Sequence, residues 1–247
     1  MKILVIPDVH GIGAWRYQAM AAVKDGMHVI FLGDYVDSYV IEPHHIYSNF
    51  EDIINFKIMY PDQVTLLLGN HDYAYVFGKS GMSGYDFFTA DKYRNLINKN
   101  WNLFDLAWGF QGKYKYTLIT HAGLTQDFYD KIVNYIKNPE NVIHDVLVKE
   151  ADVSWKKMAL HELLNYFMDA CSIMWTIGQE REGSEKTGSI LWADINELIG
   201  DRFKGIDQIV GHSVTQYFKI EDLDDDKLYF TDVHTHTHLV GFMIELK

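Results

Sequence analysis

Four short segments of this chain, Asp8-Val9-His10-Gly11, Gly33-Asp34-Tyr35-Val36-Asp37, Gly69-Asn70-His71-Asp72 and Gly211-His212, each follow an apolar run that reads as a buried strand. The runs are Ile3-Leu4-Val5-Ile6, Val29-Ile30-Phe31-Leu32, Val64-Thr65-Leu66-Leu67-Leu68 and Ile209-Val210. A fifth, Tyr116-Thr117-Leu118-Ile119, leads into Thr120-His121-Ala122-Gly123. Each places an oxygen or nitrogen metal ligand where a strand ends. Segments so far apart in sequence converge only if their strands lie side by side with the ends pointing the same way. The pattern therefore predicts a metal centre at strand ends.

Composition narrows what that centre is made of. The single cysteine, Cys171, rules out an intramolecular disulfide framework and makes a thiolate cluster implausible, so a metal has His, Asp and Asn to sit on. Such a mixed set suits manganese, iron or zinc better than calcium. A formal net charge of −12 argues against sequence-independent binding to a nucleic-acid backbone, which needs clustered Lys and Arg. With 48% hydrophobic and 15% aromatic residues in 247, the chain has ample material for a packed core. No apolar stretch approaches a membrane span, and Met1 to Ile6 runs at once into Pro7-Asp8, without the long apolar region of a signal peptide. The expectation is a cytoplasmic protein that does not engage a membrane.

Strand-like and helix-like segments alternate up to about residue 120: strand 2–7, helix 14–24, strand 28–33, helix 43–60, strand 63–68 and helix 91–101. That alternation predicts βαβ units. Leu106 to Trp108 and Tyr114 to Thr120 flank Gln111-Gly112-Lys113, which predicts a hairpin feeding the strand that carries His121. Apolar residues at helical spacing predict helices over 126–136, 141–150 and 155–176. A turn-rich stretch from Gly178 to Gly188 and a short helix at 194–200 bring the chain to the strand before His212. Strands are expected at 215–220, 227–232 and 238–246, with Asp224-Asp225-Asp226 as a turn. Nothing in the text marks a linker, so one domain, 1–247, is expected, with a cap-like helical block over about 125–188.

Taken in order, DVHG, GDYVD, GNHD, THAG and GH resemble the motifs of the calcineurin-like metallophosphoesterases, particularly the phosphoprotein (serine/threonine) phosphatase branch with its phage and bacterial members. The resemblance implies a four-layer αββα sandwich with two mixed β-sheets, and a dinuclear centre of two divalent ions, manganese first, with iron or zinc as alternatives. It places Asp8 and His10 on one ion, Asp34 as a bridge, and Asn70, His121 and His212 on the other. His71 resembles the general acid that protonates the leaving-group oxygen, and Asp37 the carboxylate that orients it. The implied chemistry is attack of a metal-bridging hydroxide on a phosphate monoester, without a phosphoenzyme. The implied substrate is a phosphorylated protein or a small phosphoester.

Two features bear on the branch. Many phosphodiesterases of the superfamily end in Gly-His-x-His, whereas Gly211-His212-Ser213-Val214 has one histidine, which favours the phosphatases. Against that, the phosphatase signature continues Gly-Asp-x-Val-Asp-Arg-Gly, and here Ser38-Tyr39 follow Asp37, so the phosphate-gripping arginine is missing. Arg181 is the first candidate to replace it, with Lys186 and Arg16 behind, although a charged loop residue is usually just solvated. His234, His236 and His238 alternate and would share one face of an extended strand. An ordinary exposed strand explains them better than a dedicated metal site, but His234 falls where it could line the pocket. The other readings are a nucleotide or dinucleoside polyphosphate hydrolase, a phosphodiesterase, and, from another class, a catalytically silent binding protein on the same fold.

Overall fold

The computed structural model describes residues 1–138, 155–233 and 239–246. In chain order the elements are β1 (Lys2–Ile6), α1 (Trp15–Lys24), β2 (His28–Phe31), α2 (Pro43–Met59), β3 (Val64–Leu67), α3 (Asn70–Phe77), α4 (Ala90–Lys99), β4 (Phe104–Asp105), β5 (Ala107–Gln111), β6 (Tyr116–Thr120), α5 (Gln126–Lys137), α6 (Leu160–Asn165), α7 (Cys171–Met174), α8 (Ile195–Asp201), β7 (Ile206–Val210), β8 (Lys219–Leu223), β9 (Asp226–Phe230) and β10 (Phe242–Glu245). They form two five-stranded mixed sheets. In one, β1 to β4 run parallel in the order β10-β1-β2-β3-β4, with β10 antiparallel at the edge. In the other, β6, β7 and β9 run parallel in the order β5-β6-β7-β9-β8, flanked by antiparallel β5 and β8.

Alternation along the strands shows how the layers stack. On β1, Ile3 and Val5 face the second sheet, packing with Ile30, Leu32, Leu67, Ile119 and Ile209. Leu4 and Ile6 face the other way, toward Trp15, Ala19 and Val23 of α1 and Phe50 and Ile53 of α2. Both faces being buried, the strands read as continuous apolar runs, and the result is the expected αββα sandwich. Helix α5 closes the far side: the Thr125 hydroxyl caps it by accepting from Phe128 N at 3.2 Å, and Phe128, Ile132 and Ile136, four residues apart, form its buried stripe. Among the described residues no helix is long and apolar enough to cross a membrane.

Three expectations need correction. The segment 155–176 is not one helix but a 3₁₀ turn followed by α6 and α7. The chain breaks where Asn165 turns to the sheet: its Oδ1 accepts from Leu106 N and Ala107 N at 2.8 and 2.9 Å, and its Nδ2 donates to Ala107 O at 3.0 Å. The sequence reading has no helix directly after the third strand, but Asn70–Phe77 form α3 there, with Gly69 as its cap. The strand expected at 215–220 begins at Lys219, because Thr215 is drawn off to the Asp232 carbonyl, its N and Oγ1 donating at 2.8 and 3.1 Å. The helix expected at 141–150 and the residues His234, His236 and His238 lie outside the described residues.

Candidate metal centre

Strands β1, β2 and β3 end on the same edge of their sheet, and β6 and β7 on the same edge of theirs. The loops that follow pack backbone against backbone. A Cβ on Gly69 would lie 2.1 Å from Asp34 Oδ1, so glycine alone lets the β2 and β3 loops cross. Six non-glycine residues among those described have positive φ, and four are His10 (43°), Asp34 (50°), Asp37 (62°) and His212 (62°). Each costs about 1 kcal/mol relative to ordinary backbone, a concentration of strain at the strand ends rather than in distant turns.

The two sheets meet through these residues. His121 Nδ1 lies 2.9 Å from Leu32 O, and His212 N donates to Asp8 Oδ1 at 3.1 Å. A carbonyl only accepts, so His121 Nδ1 carries the proton and Nε2 a lone pair. The same holds for His10, whose Nδ1 stands 2.9 Å from the carbonyls of both Val36 and Asp37. The other ring nitrogens approach one atom: Asp34 Oδ2 is 3.7 Å from His10 Nε2 and 3.7 Å from His121 Nε2. Asn70 Oδ1 lies 2.8 Å from His121 Nε2, and His212 Nδ1 3.1 Å. Asp8, Asp34 and His121 each offer a ligand atom within 4.8 Å of the others. Lone pairs facing lone pairs in a buried place fit a cation between them.

Beside His10, the His71 imidazole presents Nδ1 to Asp37 Oδ2 at 2.7 Å, while His71 N donates to Asp34 Oδ1 at 3.0 Å. Helix α3 explains the approach, because His71 is in its first turn and Asp72 closes the cap by accepting from Gly69 N and Tyr35 N at 3.0 and 2.9 Å. Burial works against a charged His71, but Asp34 and Asp37 outweigh it and raise its pKa to about 9. Burial also opposes the charged form of Asp34, yet His121, His71, His10 and His212 hold its carboxyl well below the usual range. His212 is pushed the other way, first by burial and then by His121 and Arg181, which keeps its ring neutral.

A cavity of about 500 Å³ opens over these groups, lined by Asp8, His10, Asp34, Asn70, His71, Arg181, Trp192, His212 and Asp232 among others. Three buried side-chain nitrogens on its wall have no hydrogen-bond partner: Arg181 Nε, Trp192 Nε1 and His212 Nε2. Arg181 Nε sits 3.0 Å from Asp194 Oδ2 as an ion pair without hydrogen-bond geometry, and Nη2 donates to Ser213 Oγ at 2.9 Å. The structure thus brings eight of the sequence candidates around one space: Asp8, His10, Asp34, Asn70, His71, His212 and Arg181 on the wall, and His121 behind them, fully buried. Asp37 lines an adjoining cavity of about 150 Å³ with Ser38, Tyr39, Ser83 and Gly84. Arg16 and Lys186 are spent elsewhere, on Asp52 and Asp201. Trp192 is not among the site residues expected from the sequence, although Leu191-Trp192-Ala193-Asp194 stands where the resembling family has a Trp followed by an Arg and here supplies an acid instead.

Residues 1–216 match the calcineurin-like phosphoesterase family. The chain belongs to that family. As a calcineurin-like phosphoesterase it is a metal-dependent phosphoester hydrolase, and the cluster around Asp34 is a group of the kind such an enzyme uses to hold metal. No curated protein matches it at the level of sequence. Among solved structures, a putative diadenosine tetraphosphatase is similar over 98% of this calcineurin-like phosphoesterase and 88% of its own chain, at 12% identity and a TM-score of 0.51. A cold-active protein tyrosine phosphatase aligns over 94% and 69% at 18% identity and a TM-score of 0.47. A metallophosphoesterase from Sphaerobacter thermophilus aligns over 100% and 90% at 12% identity and a TM-score of 0.36. At such identities the first of these speaks for the fold and not for a substrate.

Proposed function

We propose that this phosphoesterase is a phosphomonoesterase with a dinuclear centre, acting on phosphoserine or phosphothreonine in proteins. The observation that carries the reading is the placement of Asp34 Oδ2, 3.7 Å from both His10 Nε2 and His121 Nε2. A bridging carboxylate needs a ligand of each ion on either side of it. Asp8 and His10 serve one ion; Asn70, His121 and His212 serve the other. Two divalent ions, with manganese the metal of choice, supply Lewis acidity toward the phosphoryl oxygens and an activated water. Asp8, Asp34, Asn70 and His121 are buried at the strand ends and His10 and His212 partly so, which limits bulk water and sharpens those charges.

The other steps belong to side chains. His71 keeps its proton at neutral pH and has Nε2 free to give it to the leaving-group oxygen, with Asp37 fixing the ring through Nδ1. Arg181 takes the place of the arginine missing at Ser38, its guanidinium on the cavity wall beside His212 and available to a phosphoryl oxygen. Ile177, Arg181 and Glu182 bring the 125–188 block into the wall, which supports its role in substrate choice. Val214 stands where a diesterase would carry a second histidine, and it is an apolar wall residue. His234 remains a substrate-binding proposal that lies outside the described residues.

The test is turnover by manganese-loaded protein of para-nitrophenyl phosphate, its bis ester, a phosphoserine peptide and diadenosine tetraphosphate. Preference for the monoester and the peptide supports the reading. Preference for the bis ester or the dinucleoside polyphosphate overturns the substrate class, and no turnover of any of them overturns the enzyme.

A further inference from the structure

The His71–Asp37 pair does not end at Asp37. The Tyr75 hydroxyl donates to Asp37 Oδ1, the oxygen that His71 does not use, and in turn accepts from Asp86 N at 2.8 Å. Tyr75 is fully buried and follows His71 by four residues on α3, so the two side chains rise from the same face of the helix, one turn apart. Its ring is clamped on two sides, stacked on Tyr85 with centroids 4.3 Å apart and edge-on to Tyr93 at 5.1 Å. Asp37 is thereby held at three points: its carbonyl by His10 Nδ1, one carboxylate oxygen by His71, the other by Tyr75. Its φ of 62° is a strained backbone that persists only where its surroundings fix it, as these contacts do.

Asp86 and Tyr85 belong to the loop between α3 and α4, residues 79–89, and the same loop supplies Ser83 and Gly84 to the small cavity beside His71. That cavity shares His10, His71 and Ser83 with the larger one and lies on the side of the proposed acid, where a leaving group would sit. One chain of hydrogen bonds therefore runs from Asp86, in the loop that supplies Ser83 and Gly84, through Tyr75 and Asp37 to His71.

We propose that Tyr75 is a positioning residue for proton transfer to the leaving group, fixing the Asp37 carboxylate so that His71 Nε2 faces the departing oxygen. The inference rests on the reading of His71 as general acid. In the step it serves, the P–O bond breaks, the departing oxygen takes the proton from His71 Nε2, and the neutral ring keeps its Nδ1 proton toward Asp37. Tyr75 transfers nothing.

The experiment compares an alkyl phosphate, a phosphoserine peptide, with para-nitrophenyl phosphate, whose leaving group departs without protonation. Each variant is assayed on both substrates in the same preparation, so the ratio of rates is independent of the fraction folded. Tyr75→Phe, which keeps the ring and its stacking, is expected to lower kcat on the peptide about tenfold and on the aryl ester less than about twofold. In an Asp37→Asn background, Tyr75→Phe is expected to change the ratio no further. His71→Asn is the control. If it spares the aryl ester while Tyr75→Phe lowers both substrates equally or neither, the Tyr75 inference is overturned and the His71 reading stands. If His71→Asn itself shows no preference between the two leaving groups, the reading falls and takes the inference with it.

Discussion

Arg181 Nε stands 3.0 Å from Asp194 Oδ2, joining a turn-rich segment to a helix start, and Arg181 lines the cavity it shares with Asp34 and His212. The arrangement makes the cation of the pocket a joint product of two loops. Arg181→Ala is expected to lower kcat/KM on para-nitrophenyl phosphate by about 100-fold and to weaken inhibition by inorganic phosphate. Asp194→Asn, which frees the guanidinium without removing it, is expected to cost about tenfold. Equal activity of Arg181→Ala and wild type would remove Arg181 from the site.

Asp34 is the group whose loss should disturb both ions. Calorimetric titration with manganese is expected to show about two ions per chain in the wild type and fewer than one in Asp34→Asn, with kcat about 1000-fold lower. Unchanged stoichiometry in the variant would show that Asp34 does not bridge.

Metal should also stabilise the fold, because two buried carboxylates and four left-handed residues are held together there. Manganese at about 100 times its dissociation constant is expected to add about 2.7 kcal/mol to stability over the chelator-treated protein. A melting temperature indifferent to chelator would contradict it.

Gly69→Ala tests the loop crossing. With Asp34 N and Oδ1 2.6 and 2.1 Å from the new methyl, the loops must part, at a cost of about 3 kcal/mol. Activity is expected to fall further than stability, since the parting separates Asp34 from Asn70. Urea unfolding alongside manganese affinity separates the two effects.

His28 predicts a pH dependence away from the site. It stacks on Trp108 of the other sheet with centroids 5.4 Å apart, and burial, then Lys57, lowers its pKa below 6.5. A folded-state pKa below the unfolded one means that the unfolded chain takes up a proton the folded one refuses, so stability falls as pH drops below 6.5 toward the folded value. The urea midpoint is expected to fall less between pH 7 and pH 5 in His28→Gln than in the wild type.

What could be read in advance follows from where information sits. Strand runs such as Ile3 to Ile6, buried on both faces, announce themselves by composition, and ligands at their ends inherit the strands' direction. Helix α3 was hidden because Tyr73, Ala74 and Tyr75 are all buried, leaving no polar face to set a helical period. Asp72 in its first turn and Gly78 at its left-handed end were the signals available. Missing α3 meant missing Tyr75, since a four-residue spacing has meaning only on a helix. The break in 155–176 was equally invisible: the Asn165 side chain satisfies backbone groups of β5 some 58 residues away, and no local pattern encodes such a partner.

Asp8, Asp34 and Asn70 hang from one sheet, His121 and His212 from the other. On the proposed reading, ions gripped by both would act as a rivet through the sandwich, and a slip of either layer would pull the rivet open. Packing between the sheets would then serve the chemistry as well as the fold. A methyl lost at Ile119 or Ile209, in the core between the sheets, should register as poorer metal retention before it registers as unfolding.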